Sequence, residues 1–298
     1  MFVAYGDFSN NQTYTMKFQV FSELEYVVNE PTTFIFNIQA SQSKSQTILE
    51  EHLTIEPFFE SEEIVSALGD PRFLRVQIPE PVTFTISYKA IADTRYQIIE
   101  QEHLLQSVPV VKLDADIIPY LFPSRYCQSD KFEKLAWREF GSIQNEFAKV
   151  AAINEWIYNH VEYLGGMTNS STSAHDTLIE RHGICRDFAH LGITLCRALS
   201  IPARYFTGYA YLLTPPDFHA CFEAYIGGEW MFFDPTKLVP VNGLVKIANG
   251  RDAADASIAS IFGNAFCSKI TVGCMSIDLD FKLLYIEDSQ KQSGISYQ

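Results

Sequence analysis

Three residues in the second half of the chain bear side chains that together can attack an acyl carbon: Cys185, His219 and Asp234. A thiolate is the nucleophile, an imidazole takes the thiol proton and returns it to a leaving group, and a carboxylate fixes the imidazole tautomer and stabilises the imidazolium. The sequence around Cys185 reads His182-Gly183-Ile184-Cys185-Arg186-Asp187-Phe188-Ala189, a glycine followed by good helix formers, and Pro202 stops the helix after Leu199-Ser200. Positions 185, 188, 192, 195 and 199 share one face, which Phe188, Leu195 and Leu199 make apolar. Cys185 therefore belongs on the first turn of a helix laid against the core, where the positive end of the helix dipole favours a thiolate.

The other two residues belong to a hairpin. His219 to Ile226 and Glu229 to Asp234 flank Gly227-Gly228, a two-residue hairpin signal. If Ile226 faces Glu229, then Cys221 faces Asp234, and His219 becomes the diagonal neighbour of Asp234 at about 7–8 Å, a spacing that long side chains bridge. The opposite face carries Ala220, Phe222, Ala224, Ile226, Met231 and Phe233, all apolar. One hairpin face thus serves the core while the other presents imidazole and carboxylate.

Neighbouring residues read more plainly. Cys196 is a small core residue, and an Arg204–Glu223 pair would be structural. His190 lies off the apolar face and reads as a hydrogen-bonded structural residue; His175 and His182 read as loop histidines. The Asp187 carboxylate disfavours a thiolate beside it unless Arg186 offsets it. The Cys185 backbone N–H is a natural oxyanion donor, while spacing assigns no second one. Asp278-Leu279-Asp280 is too short for a calcium loop.

The rest of the chain must position these groups. Its 298 residues suggest two domains, and 47% hydrophobic with 19% charged residues is the composition of a soluble globular protein. A net charge of −14 argues against a nucleic-acid partner. No apolar run approaches the roughly 18–20 residues that span a bilayer, so no membrane association is expected. The first cation is Lys17, so no secretory leader is expected either. The six cysteines (127, 185, 196, 221, 267 and 274) form no C-x-x-C and point to reduced thiols and a cytoplasmic setting, with Cys185 the reactive one and the four besides Cys221 structural. No zinc-ligand spacing, phosphate-binding loop or dinucleotide-binding turn is present, so neither metal nor cofactor is expected.

Residues 1–112 read as an antiparallel β-sandwich. Tyr14–Phe21, Thr32–Ile38, Arg72–Ile78 and Val82–Tyr88 alternate and are rich in β-branched and aromatic residues, with Pro79-Glu80-Pro81 as a turn. This part holds 15 acids and 7 bases and shows no chemical constellation, which makes it a scaffold or partner-binding module. Residues 113–298 are the catalytic unit. A proline-punctuated linker to Cys127 leads to a helix capped by Ser129 and running to about Phe140, then a second helix over Gln144–His160. Gly165-Gly166 and the polar run at 168–173 form a loop, either a binding element or a connection.

Gly183-Ile184-Cys185-Arg186-Asp187-Phe188-Ala189, Ile201-Pro202-Ala203-Arg204, Gly208-Tyr209, His219-Ala220, Asp234-Pro235-Thr236 and Gly250-Arg251-Asp252-Ala253-Ala254-Asp255-Ala256 resemble, in order and spacing over about residues 115–270, the core of bacterial transglutaminase-like proteins. These are often labelled candidate cysteine proteases. The N-terminal part more loosely resembles the β-sandwich that precedes this core. The resemblance implies an α+β, papain-like core with Cys185, His219 and Asp234 as triad. It departs at Cys221, where many members carry Trp; Cys221 is then a second reactive thiol or a smaller wall of the site. The expected function is cysteine-dependent hydrolysis of amide or isopeptide bonds in a peptide or protein substrate, with amine transfer or a non-catalytic scaffold as alternatives. Oligomeric state is not legible.

Overall fold

Period-two burial sets the first strand: Met16, Phe18, Val20, Ser22, Leu24, Tyr26 and Val28 all turn inward while their neighbours do not. The computed structural model describes residues 12–65, 72–100, 104, 107–285 and 293–297. The N-terminal strands are β1 (Gln12–Val28), β2 (Thr32–Phe36), β3 (Gln46–Glu56), β4 (Ser61–Val65), β5 (Arg72–Ile78) and β6 (Val82–Glu100). The middle of the chain contains α1 (Glu133–Phe140), α2 (Glu146–His160), β7 (Glu162–Tyr163), α3 (Ala174–Glu180), β8 (His182–Gly183) and α4 (Cys185–Ala198). It ends with β9 (Ala203–Ala210), β10 (Phe218–Ile226), β11 (Glu229–Phe233), β12 (Leu244–Gly250), β13 (Ala259–Phe262), β14 (Ala265–Ser276) and β15 (Ser293–Ser296).

The fold is α+β and its ladders are antiparallel, apart from the short parallel pair β7–β8. A nine-stranded sheet runs β12-β9-β10-β11-β15-β6-β1-β14, with β3 added on β6; a four-stranded sheet runs β13-β2-β5-β4. The two sheets form the expected sandwich. Tyr26 of the large sheet meets Phe34 and Phe36 of the small one at 5.0 and 5.5 Å between ring centroids, and Phe84 meets Phe34 at 5.2 Å.

Strands from both sides of residue 112 share these sheets. After the core is built the chain returns: β13 pairs with β2, β14 covers the outer edge of β1, and β15 joins β6 to β11. The return closes an edge that the N-terminal strands alone would leave open. It also makes the two halves of the chain one continuous framework for a cleft.

The helices cover the other end of the large sheet. Ser129 opens a 3-10 turn, Ser129–Lys131, rather than capping the helix, which begins at Glu133. Asn145 caps α2, its Oδ1 accepting the Ala148 N–H at 2.7 Å. The helix α3 lies where the sequence showed only a polar loop and a histidine. Its start is fixed by Asp176, whose carboxylate accepts both the N–H and the hydroxyl of Ser173 at 2.9 and 2.7 Å. Among the described residues, no helix is long and apolar enough to cross a membrane.

Candidate active site

Cys185 is the first residue of α4, as expected, and is half-buried. Helix α4 is more deeply enclosed than a one-faced amphipathic helix: every residue from Asp187 to Ala198 is buried. Close packing positions it. A methyl group on Gly192 would sit 2.5 Å from Cε1 of Phe222 on β10, so only glycine lets helix and strand approach this far. The Asp187 carboxylate accepts the Ile184 N–H at 3.0 Å and pairs with Arg186 at 2.9 Å, which supplies the offsetting charge that the sequence required. Arg186 also donates to the Asn169 carbonyl at 2.8 Å and so ties the polar 168–173 loop to the start of α4.

The hairpin register is the one read from the sequence: Ile226 faces Glu229 and Phe222 faces Phe233. Gly227 and Gly228 both adopt positive φ, 64° and 93°, as a tight two-residue hairpin turn demands. Both faces of the hairpin are buried, not one. His219 is 1% exposed, and its Nε2–H donates to Asp234 Oδ2 at 2.8 Å. The other carboxylate oxygen accepts the backbone N–H and the hydroxyl of Thr236 at 2.9 and 2.7 Å. Both carboxylate oxygens of Asp234 are thus engaged, and Thr236 is what holds the second. With Nε2 committed to Asp234, Nδ1 is the ring nitrogen left for the thiol. Cys185 and His219 line the same cleft and lie close enough to interact electrostatically, while Nδ1 makes no hydrogen bond in the free site. A loose thiol–imidazole contact is usual in an unliganded site.

Burial works against a charged His219, yet its pKa stands well above the ordinary histidine value. Cys221 adjoins the ring, but burial, with the Asp234 carboxylate nearby, pushes the Cys221 thiol up to about 12 and leaves it neutral near pH 7. The charge that holds the imidazolium is therefore Asp234, assisted by its hydrogen bond and by the nearby Cys185. Cys221 has no exposed surface and does not line the cleft. It is therefore neither of the two things the sequence suggested, an accessible second thiol or a wall of the site, but a buried neighbour set beside the histidine. His219, Cys221 and Asp234 offer donor atoms within 4.8 Å of one another, the grouping that could hold a metal. The 2.8 Å His219–Asp234 hydrogen bond is tighter than the roughly 3.3–3.8 Å between ligands on a tetrahedral zinc, so the pair is built for a proton.

Tyr163 is the group that sequence reasoning missed. It is carried beside Cys185 by the parallel pairing of β7 with β8, Tyr163 against Gly183. Its side chain adjoins Cys185, and partial burial, reinforced by Cys185, pushes the phenol up to about 12. A two-residue strand has no periodicity to read; the only signal was a tyrosine just ahead of Gly165-Gly166.

The comparisons with known proteins follow this geometry. Residues 16–116 match the bacterial transglutaminase N-terminal domain, and residues 134–235 match the transglutaminase-like superfamily. The crystal structure of a candidate cysteine protease from Cytophaga hutchinsonii is 59% identical, covers 96% of this chain and 100% of that one, and superposes with a TM-score of 0.93. The chain belongs to the transglutaminase-like superfamily. An uncharacterised protein of Mycobacterium leprae is 32% identical over 117 residues, 36% of this chain and 42% of that protein. One from Mycobacterium tuberculosis is 34% identical over 115 residues, 33% of this chain and 36% of its own length. The chain thus matches less than half the length of these curated relatives.

In this transglutaminase-like core the remaining residues fall into place. Arg204 pairs with Glu223 at 2.5 Å and lies 4.1 Å over the Trp230 ring, away from the cleft, a structural pair as expected. His190 is buried, stacks on Tyr126 at 5.0 Å, and its Nε2 accepts the Ala253 N–H at 3.1 Å. His175 lies in α3 and His182 in β8, neither of them in a loop and neither lining the cleft. Asp278 accepts the Lys17 N–H at 2.7 Å. A cysteine expectation is corrected as well. Cys267, counted among the structural cysteines, is exposed and lines the same cleft as Cys185, because the returning strand β14 brings it there.

Proposed function

We propose that this chain is a cysteine-dependent acyl-transfer enzyme that hydrolyses amide or isopeptide bonds of peptides or proteins, with Cys185 as nucleophile, His219 as base and acid, and Asp234 as its anchor. The observation that carries the reading is His219 placed between the Cys185 thiol and an Asp234 carboxylate whose second oxygen is held by Thr236. In the reactive form the thiol proton already resides on His219 as imidazolium, and the Cys185 sulfur bonds to the acyl carbon as thiolate. The oxyanion so formed is met by the Cys185 N–H and by the hydroxyl of Tyr163, which adjoins Cys185. Imidazolium then protonates the departing amine as the C–N bond breaks, leaving a thioester. Water, deprotonated by His219, attacks the thioester, and the thiol leaves with the proton restored.

An amine acceptor in place of water gives transfer by the same residues. The test is a peptide library incubated with the protein, with and without a primary amine, and read by mass spectrometry. Shortened peptides support hydrolysis and amine adducts support transfer. Products that persist in Cys185→Ala or His219→Ala would refute the assignment, and no product at all would favour a scaffold. Six free thiols, three of them buried, support a reducing setting, and we place the activity in the cytoplasm on that ground.

A further inference from the structure

The cleft that holds Cys185 and His219 has a volume of about 390 Å³, and its far wall comes from the sandwich: Leu24 and Tyr26 of β1, Cys267 and Ile270 of β14. Strand β14 is the last in the large sheet, and among the described residues no strand pairs with its outer edge. Residues 266–271, beside the cleft, are exposed on both faces. An edge of this kind leaves the N–H and C=O of every second residue without a ladder partner. The ladder is also bulged here, since Glu25 faces Lys269 while Tyr26 faces Cys267, and such a bulge beside a site re-aims side chains, here with both Cys267 and Ile270 lining the cleft. Lys269, the one charged residue in the stretch, is paired with Glu23 at 3.2 Å.

We propose that this edge is the substrate track. An extended segment of a peptide or protein adds as a further strand beside residues 266–271, and one of its apolar side chains enters the cleft between Tyr26, Phe218 and Ile270. Main-chain pairing gives the affinity and the apolar pocket gives the preference. A substrate strand fits better than a second copy of the chain, because the track opens directly onto Cys185 and His219, which a pairing copy would cover. The inference rests on the acyl-transfer reading and names its substrate as extended and apolar.

The test uses acetyl-capped hexapeptidyl chloromethyl ketones and the rate at which they modify Cys185, measured by intact mass and divided by the iodoacetamide rate. Moving a single N-methyl amide along the peptide should lower that ratio about fivefold or more at alternate positions and little between them, the signature of an added strand. Leu or Phe next to the ketone should be favoured about tenfold over Asp, and Ile270→Lys should erase that preference. Sensitivity confined to the residue beside the ketone, or no side-chain preference, would overturn the proposal even where Cys185 is labelled. A dimer that light scattering shows to be broken by Ile270→Lys would also overturn it, in favour of a second copy. If neither reagent labels Cys185 in a His219-dependent way, the acyl-transfer reading itself fails.

Discussion

Gly192 on α4 and Phe222 on β10 meet so closely that a single added methyl group would stand 2.5 Å from the phenyl ring. Phe222 in turn stacks on Phe233 at 5.5 Å, so it has no room to retreat. The helix that begins with Cys185 and the strand that carries His219 are held at their working separation by this contact. Gly192→Val should therefore destabilise the protein by about 1–3 kcal/mol through overpacking, read as a lower urea midpoint. It should also slow His219-dependent alkylation of Cys185 in the molecules that remain folded.

Asp234 holds the His219 imidazolium against burial, which gives a signed pH dependence. Folded His219 keeps its proton above the unfolded pKa of about 6.5, so its contribution to stability is complete below that pH and is lost as pH rises towards the folded pKa. Asp234→Asn removes the charge and should return the His219 titration, followed by NMR, towards or below the ordinary value. Thr236→Val leaves the charge but deletes the 2.7 Å hydroxyl bond to the carboxylate. It should cost about 1.5–3 kcal/mol, the range for a hydrogen bond to a charged group. An unchanged His219 titration in Asp234→Asn would contradict the assignment of the charge.

On the proposed mechanism, a variant of Tyr163 would separate oxyanion stabilisation from nucleophile activation. Its hydroxyl adjoins the Cys185 N–H, but alkylation by iodoacetamide forms no oxyanion. Tyr163→Phe should therefore lower turnover of a cleaved peptide by about 100-fold, the scale of losing one oxyanion donor, while iodoacetamide still modifies Cys185 at close to the parent rate. Equal losses in both assays would assign Tyr163 to packing instead, alongside its ring contact with Phe188 at 5.8 Å.

The contrast between Tyr163 and His219 shows which parts of the site a sequence exposes. His219 and Asp234 were legible from one hairpin, whose Gly-Gly turn sets the pairing of Phe222–Ile226 with Glu229–Phe233; Asp234 lies just past the last paired residue, so its expected pairing with Cys221 is not formed. Cys185 followed from one helix start. Tyr163 reaches Cys185, and Cys267 reaches the cleft, only through pairings between distant segments, β7 with β8 and β14 with β1, and those leave no local pattern. The sandwich was legible in the alternation of β1 and β6. That its missing edge is supplied by residues 265–276 was not, since nothing in an isolated strand says which edge it will join. Helix α3 was hidden because seven residues are too few to show a period, and its Ser173–Asp176 cap lies in a run that reads as loop.

His190 makes the opposite pH prediction to His219. It is fully buried, and burial, followed by the nearby Arg186 and Arg197 charges, holds its pKa well below the usual 6.5. As a neutral ring it accepts the Ala253 N–H through Nε2, anchoring the segment whose Ala253 and Ala256 line the cleft. Below about pH 6.5 the unfolded chain binds a proton at this position that the folded chain refuses, so stability falls as pH falls, by up to about 1.4 kcal/mol per pH unit for the one group. His190→Gln can still accept the Ala253 N–H through its side-chain oxygen but takes up no proton. Carboxylates add their own acid dependence to both proteins, so the informative quantity is the difference between them. In urea unfolding from pH 7.5 to 4.5, the variant should start less stable and lose stability more slowly, with the two curves converging by about one proton's worth of slope. Parallel curves would mean that His190 is protonated in the folded protein.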